Sequence, residues 1–199
     1  MAHKNFKMSG FSGKKWIQAK EEIEGFIRLL KEEGCTSYLE IGCLYGDNWH
    51  AVGMALPEGS KLVGVDLPGL NAGMKSTRNP DSDIYLKRAG EDLRKHGRNA
   101  HVIIGNSQEP ETISQVAALA PFDAIFIDGD HSEYGVRADI ANYAPMGKII
   151  AFHDLYTKKK QEWMCQVMPT FKAFAKGKRS CEFAYYDRGG IGVVWTNNH

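Results

Sequence analysis

The sequence predicts an α/β fold, a doubly wound and mostly parallel seven-stranded sheet that closes with a C-terminal antiparallel hairpin. Three observations lead there. Apolar runs of strand length alternate with helix-patterned stretches, and parallel neighbours need a crossover helix between them. Five successive apolar runs each stop on glycine or a polar residue. The last two β-rich runs, 182–186 and 191–195, flank Asp187-Arg188-Gly189-Gly190, which has the composition of a hairpin turn.

Trp16, Ala19, Ile23, Phe26, Ile27 and Leu30 recur at three- and four-residue steps and predict a first helix, which Gly34 stops. Residues 38–41 read as a buried strand ending in Glu40-Ile41-Gly42. A second helix runs from a cap at Asp47 or Asn48 to Leu56, where Pro57-Glu58-Gly59 breaks it. Residues 61–66 form the second strand, and 67–80, rich in Gly, Asn and Pro, a long loop. The alternation continues with a helix over 83–95, a strand over 101–104, a helix over 109–119 and a strand over 123–127. A helix over 134–143, a strand over 148–152 and a helix over 161–175, interrupted near Pro169, complete it. Residues 1–36 thus form an N-terminal segment and helix packing on the sheet, and 37–199 the ligand-binding domain, within one structural domain overall.

At 199 residues, with 43 % apolar and 25 % charged residues, the composition is that of an ordinary soluble globule. Lys plus Arg number 25 against 24 Asp plus Glu. A net charge of +1 lacks the basic excess of a nucleic-acid or anionic-membrane binder, so a small-molecule substrate is expected instead. No apolar run has the length of a signal peptide core or a bilayer span, and the four cysteines show no CxxC pairing. Reduced thiols and a cytoplasmic location are the expectation; oligomeric state is left open. Lys158-Lys159-Lys160 and the group Lys172, Lys176, Lys178 and Arg179 read as solvated faces, or as a contact for an anionic substrate.

In such a sheet, ligands bind beyond the carboxyl ends of the strands. Glu40, Gly42 and Gly46 surround the first end, and Asp66 closes the second. Gly105-Asn106-Ser107, Asp128-Gly129-Asp130-His131 and His153-Asp154 follow the next three. A dinucleotide fingerprint would need glycine at 42, 44 and 47, where this chain has Gly42, Leu44 and Asp47. Leu44 obstructs a pyrophosphate, and Asp47 sets negative charge at the helix terminus where phosphate would bind. The turn suits a cofactor with no phosphate and a cationic centre, and Asp66 is placed to accept both hydroxyls of a ribose.

Glu40-Ile41-Gly42-Cys43-Leu44-Tyr45-Gly46, followed by Asp66, resembles the first motif and ribose-binding acid of the class I S-adenosylmethionine-dependent methyltransferases. Phe122-Asp123-Ala124-Ile125-Phe126-Ile127-Asp128-Gly129-Asp130-His131-Ser132, with Ile149-Ile150-Ala151-Phe152-His153-Asp154, resembles one branch of it. That branch holds cephalosporin-hydroxylase-like and macrolide-sugar O-methyltransferases. The resemblance covers about Ser37 to Trp195 and implies that 37–199 is an S-adenosylmethionine-binding methyltransferase domain. It implies cofactor contacts from Glu40, Gly42, Cys43, Tyr45, Gly46, Asn48, Asp66, Asn106, Ser107, Asp128 and Gly129. Asn106 stands where relatives often carry Asp, and offers both a donor and an acceptor. The implied reaction is methyl transfer to a hydroxyl of a small molecule such as a sugar or polyketide.

His131 is the candidate general base with Asp128 beside it, or else a cap for the following helix. Asp128, His153 and Asp154 are candidate ligands for Mg²⁺ or another divalent cation, or line a metal-free polar pocket. Two alternatives stay open: a non-catalytic S-adenosylmethionine-binding module, and a hydroxylase-like tailoring reaction on the same fold.

Overall fold

A computed structural model describes residues 10–14, 19–67, 81–156, 165–184 and 189–196. Among them, seven strands form one sheet: β1 (Ser37–Ile41), β2 (Lys61–Asp66), β3 (Asn99–Ile104), β4 (Phe122–Ile127), β5 (Gly147–Phe152), β6 (Ser180–Phe183) and β7 (Ile191–Trp195). Their order is β3-β2-β1-β4-β5-β7-β6, so the sequence of strands reverses between β1 and β4, where the crevice of a doubly wound sheet opens. β1 to β5 are parallel, and β7 runs antiparallel to both β5 and β6.

Helices α1 (Lys20–Glu32), α2 (Asp47–Ala55) and α3 (Ser82–Lys95) cover one face. The other is covered by α4 (Pro110–Ala117), α5 (Glu133–Tyr143) and α6 (Val167–Ala175). Strand alternation divides the core accordingly. Tyr38, Ala124, Phe126 and Ala151 pack toward α1–α3, and Leu39, Ile41, Ile125, Ile127 and Phe152 toward α4–α6. Carried one step past the strand ends, the same period brings Asp128 and His153 to the α1–α3 side, where Glu40 already lies. The register Ile41↔Ile127↔Phe152 then sets Asp128 beside His153. Their backbones continue the ladder, Asp128 N donating to Ile41 O at 2.8 Å and His153 N to Ile127 O at 3.1 Å.

Several boundaries differ from the sequence expectation. α1 begins at Lys20, and Trp16 lies outside the described residues. Gly46, with φ 78°, is the N-cap of α2 in place of Asp47 or Asn48. The Asp47 carboxylate is otherwise engaged, accepting from Ser12 N at 2.7 Å and Ser12 Oγ at 2.6 Å. α6 runs unbroken through Pro169, which sits in its first turn where the missing N–H has no intrahelical acceptor to lose. β6 starts earlier than expected because the register Cys181↔Val193 and Phe183↔Ile191 turns both apolar side chains onto the core and leaves Ser180 and Glu182 exposed. Of the basic residues before it, Lys178 lies over the Phe174 ring and Arg179 over Trp195, with Glu33 3.1 Å from the Arg179 guanidinium. These contacts favour a structural face there. The 68–80 part of the long loop, residues 161–164, Lys158 to Lys160 and 185–188 lie outside the described residues. Among the described residues, no helix is long and apolar enough to cross a membrane.

Candidate active site at the strand ends

The chain leaves β1 through a sharply turned loop. Gly42 has φ 89°, and a Cβ there would fall onto the Asp128 carbonyl oxygen and 2.7 Å from Gly129 N, so this glycine lets the β1 and β4 turns touch. Leu44 also adopts a left-handed conformation, with φ 52°, a strain of about 1 kcal/mol that aims its N–H at Asp66 Oδ1, 3.1 Å away. Ser82 Oγ at the start of α3 donates to the other oxygen, Oδ2, at 3.2 Å. Each Asp66 oxygen thus spends one lone pair on the protein and keeps one. Burial raises the Asp66 pKa to about 6, against the opposing bonds from Leu44 and Ser82.

Beneath this turn, Glu40 is only 1 % exposed. Tyr38 Oη and Asn48 Nδ2 both donate to its Oε2, at 2.6 and 2.9 Å. Burial drives the Glu40 pKa up to about 8 despite those two bonds. Cys43 is buried on the Glu40 carbonyl, Asn48 is buried with its Oδ1 unpartnered, and Gly46 is buried where α2 begins. Tyr45 is half-buried, edge-on to Tyr85 at 5.5 Å, with Lys14 Nζ over both rings. Of the first-motif residues, Glu40, Cys43 and Asn48 therefore build the floor, whereas Gly42, Tyr45 and Asp66 border the opening.

The β4 and β5 ends form a charged cluster. Asp128 Oδ1 lies 3.1 Å from His131 Nε2 and 3.0 Å from His153 Nδ1. Asp154, held at φ 55°, turns its carboxylate back so that Oδ2 is 3.4 Å from His131 Nδ1 and Oδ1 3.6 Å from His153 Nδ1. Burial opposes charge on all three inner groups, and the mutual attraction overcomes it. His153 is raised to about 9, His131 well above its ordinary value, and Asp128 is held well below its own. His131 does not cap α5. Ser132 is the N-cap, its Oγ accepting from Gly135 N at 3.0 Å, and Asp130 Oδ1 in turn accepts from Ser132 N.

The expected metal ligands Asp128, His153 and Asp154 lie together, and His131 joins them. The ligand atoms that lie within 4.8 Å of one another belong to Asp128, His131 and Asp154. His153 reaches Asp128 and Asp154 through Nδ1, while its ring stacks on Phe126 and its buried Nε2 has no partner.

At the β3 end, Asn106 Oδ1 accepts from Gln108 N at 3.0 Å, which orients the amide and leaves its nitrogen as the donor available to a ligand. Ser107 is held twice: its Oγ donates to Asp139 Oδ1 at 2.8 Å, and its carbonyl accepts from Tyr143 Oη at 2.6 Å. Sequence reading did not single out Asp139. Its signal is an acid at the 136, 139, 143 spacing of the buried stripe of α5.

Glu40, Asp66 and Asp139 all have raised pKa values, the last to about 6, and burial is the largest cause of each. A carboxyl whose folded pKa lies above its unfolded value binds more protons when folded, so it stabilises at low pH and loses that contribution as pH rises through the folded value. Asp66 and Asp139 finish losing theirs near pH 6; Glu40 continues to about 8. Metal-free protein is therefore expected to lose stability between pH 6 and 8, with Glu40 contributing up to about 1 kcal/mol per pH unit. Thermal unfolding across that range should show a flatter slope for Glu40→Gln; equal slopes would refute the assignment.

A family model described as "Methyltransferase domain" matches residues 39–155, from within β1 to just past Asp154. The chain belongs to this methyltransferase-domain family. The matched span contains every strand end that borders the crevice. Among solved structures, the methyltransferase is similar to the O-methyltransferase from Bacillus cereus in complex with SAH, with a TM-score of 0.67 and 16 % identity over 90 % of this chain and 82 % of that one. It is also similar to the O-methyltransferase TomG from Streptomyces achromogenes, involved in tomaymycin synthesis and solved with SAM. There the TM-score is 0.63 and the identity 15 %, over 92 % of this chain and 83 % of that one. These likenesses show a shared class I methyltransferase fold. A search of curated protein sequences finds no match.

Proposed function

We propose that this methyltransferase transfers a methyl group from S-adenosylmethionine to a hydroxyl of a small molecule. The observation that carries the reading is Asp66. Its carboxylate keeps one free lone pair on each oxygen at the β2 end, the pattern that meets the two hydroxyls of a ribose, while Leu44 and Asp47 make the neighbouring turn unfit for phosphate. Gly42, Tyr45 and Gly46 would border the amino-acid end of the cofactor over the floor of Glu40, Cys43 and Asn48. Asn106 and Ser107 would meet its adenine, and Asp128 and Gly129 would line the approach to the methyl group. When bound, S-adenosylmethionine supplies a methyl on a cationic sulfur, open to in-line displacement by oxygen.

Of the two imidazoles in the charged cluster, His131 is nearer the opening, its side chain 28 % exposed against 7 % for His153. In its neutral form, with Nδ1 released from Asp154, His131 would take the proton from the acceptor hydroxyl as the new C–O bond forms, so turnover should rise as pH climbs through the pKa that Asp128 and Asp154 raise. His153 acts behind it, holding Asp128. Two carboxylates and an imidazole nitrogen suit a divalent cation, which Asp128, Asp154 and His131 would hold; with it bound, His131 would be a ligand and not the base. Bound there, such an ion supplies Lewis acidity that lowers the pKa of a substrate hydroxyl.

Asp66→Ala is expected to weaken binding of S-adenosylhomocysteine by more than about tenfold, because two hydrogen bonds are lost together. Calorimetric titration of the variant decides it, and wild-type affinity would remove Asp66 from the site. A product heavier by one methylene group distinguishes methyl transfer from a hydroxylase-like reaction, whose product gains an oxygen.

A further inference from the structure

Asp139 is the one acid at the crevice that the proposed reaction leaves without a task. It sits on the buried stripe of α5, 0 % exposed, with Oδ1 taken by Ser107 and Oδ2 buried without a hydrogen-bond partner. Among the described residues it has no ion-pair partner, so nothing cationic compensates the burial of its charge. An asparagine would fill the same volume without that penalty. The chemical difference is that an ionised carboxylate can only accept a hydrogen bond, whereas an amide can turn to donate one.

We propose that Asp139 is a positioning residue for the cofactor's base: by taking the only hydroxyl proton of Ser107, it makes that side chain an acceptor toward the crevice and so selects an exocyclic amine over a keto group. This rests on the reading of the crevice as an S-adenosylmethionine site. Its geometry is consistent on both sides of the β3 turn. Asn106, oriented by its bond from Gln108 N, has its amide donor free, and Ser107 has its donor committed to Asp139 and is left with lone pairs. Adenine presents the complement, an amine that donates beside ring nitrogens that accept. Tyr143, one turn further along α5, anchors the Ser107 carbonyl and so fixes the backbone from which the hydroxyl reaches Asp139. The Asp139 pKa, raised to about 6 by burial and by the charge of Asp130 against the Ser107 bond, still leaves the carboxylate ionised at neutral pH.

The test is a specificity ratio, which a purely structural role would not move. S-adenosylhomocysteine and its deaminated analogue, S-inosylhomocysteine, differ at the exocyclic position, where a keto oxygen replaces the amine, and at the adjacent N1, which carries a proton in the keto form. Wild-type protein should bind the adenosyl compound at least about tenfold more tightly at neutral pH. In Ser107→Ala and in Asp139→Ala the ratio should fall to within about threefold of one, and the double variant should fall no further, since both remove the same interaction. Asp139→Asn, which keeps the volume, should show an intermediate ratio. A folded Asp139→Ala with the wild-type ratio overturns the assignment. Should that variant not fold, an undiminished ratio in Ser107→Ala or Asp139→Asn overturns it equally. Wild-type protein that binds both compounds alike refutes this inference alone, whereas wild type that binds neither refutes the cofactor reading beneath it.

Discussion

Gly42→Ala is expected to destabilise the methyltransferase by about 2–5 kcal/mol and to abolish measurable cofactor binding. The first part of that loss is conformational: at φ 89° a side chain costs about 1–2 kcal/mol in the left-handed region. The larger part is steric. The new Cβ would overlap the Asp128 carbonyl oxygen and stand 2.5 Å from its carbonyl carbon and 2.7 Å from Gly129 N. All three are backbone atoms, so the clash is relieved only by driving the β1 and β4 turns apart. That movement shifts Asp128 from His153 and opens the floor above Glu40. Gly59→Ala provides the control: it has φ 80° with nothing within 4 Å of the added carbon, and should lose only the conformational part. Chemical denaturation of the two variants separates the contributions, and equal losses would show that the turn-to-turn contact is unimportant.

His131→Ala is expected to lower turnover by about 10²–10⁴ while leaving affinity for S-adenosylhomocysteine within a few-fold of wild type. The separation is possible because the structural duties around His131 belong to its neighbours. Ser132 caps α5, Asp130 orders the turn before it, and Asp128 keeps the second imidazole at 3.0 Å. Loss of His131 thus removes the imidazole nearer the opening without removing the partner that neutralises Asp128. A variant with intact turnover would pass the proton-accepting role to Asp154 or to solvent. A variant that also loses the cofactor would instead make His131 part of the binding surface.

The fold was legible because apolar runs of strand length in this chain alternate with helix-patterned stretches and each run stops on glycine or a polar residue. Alternation then fixed more than secondary structure: Phe126 facing α1–α3 is enough to place Asp128 on that side, and parallel register puts His153 next to it. That a second imidazole, His131, joins Asp128 and Asp154 was not legible. It depends on the left-handed turn at Asp154 and on the bend through Gly129, neither of which has a periodic signature. Glu40 and Asn48 were recognised as site residues, yet their facing each other across the floor follows from α2 starting at Gly46, a cap that sequence rules assign to Asp47 or Asn48. Asp47 in turn is bound by Ser12, 35 residues away, a contact no local pattern announces. The register of β6 escaped for a similar reason, since Phe183 is chosen by the core it meets.

The crevice bordered by Asp66, Asn106 and Asp128 is proposed to bind S-adenosylmethionine. Calorimetric titration of the purified protein with S-adenosylmethionine and S-adenosylhomocysteine, each with a divalent cation and with a chelator, tests it most directly. Micromolar binding of both compounds at one site per chain is the predicted result, together with its loss in Asp66→Ala. A cation-dependent change in affinity or heat would add the Asp128, His131 and Asp154 cluster to that site. No binding under any of these conditions would contradict the account, leaving a methyltransferase sheet whose crevice serves some other ligand.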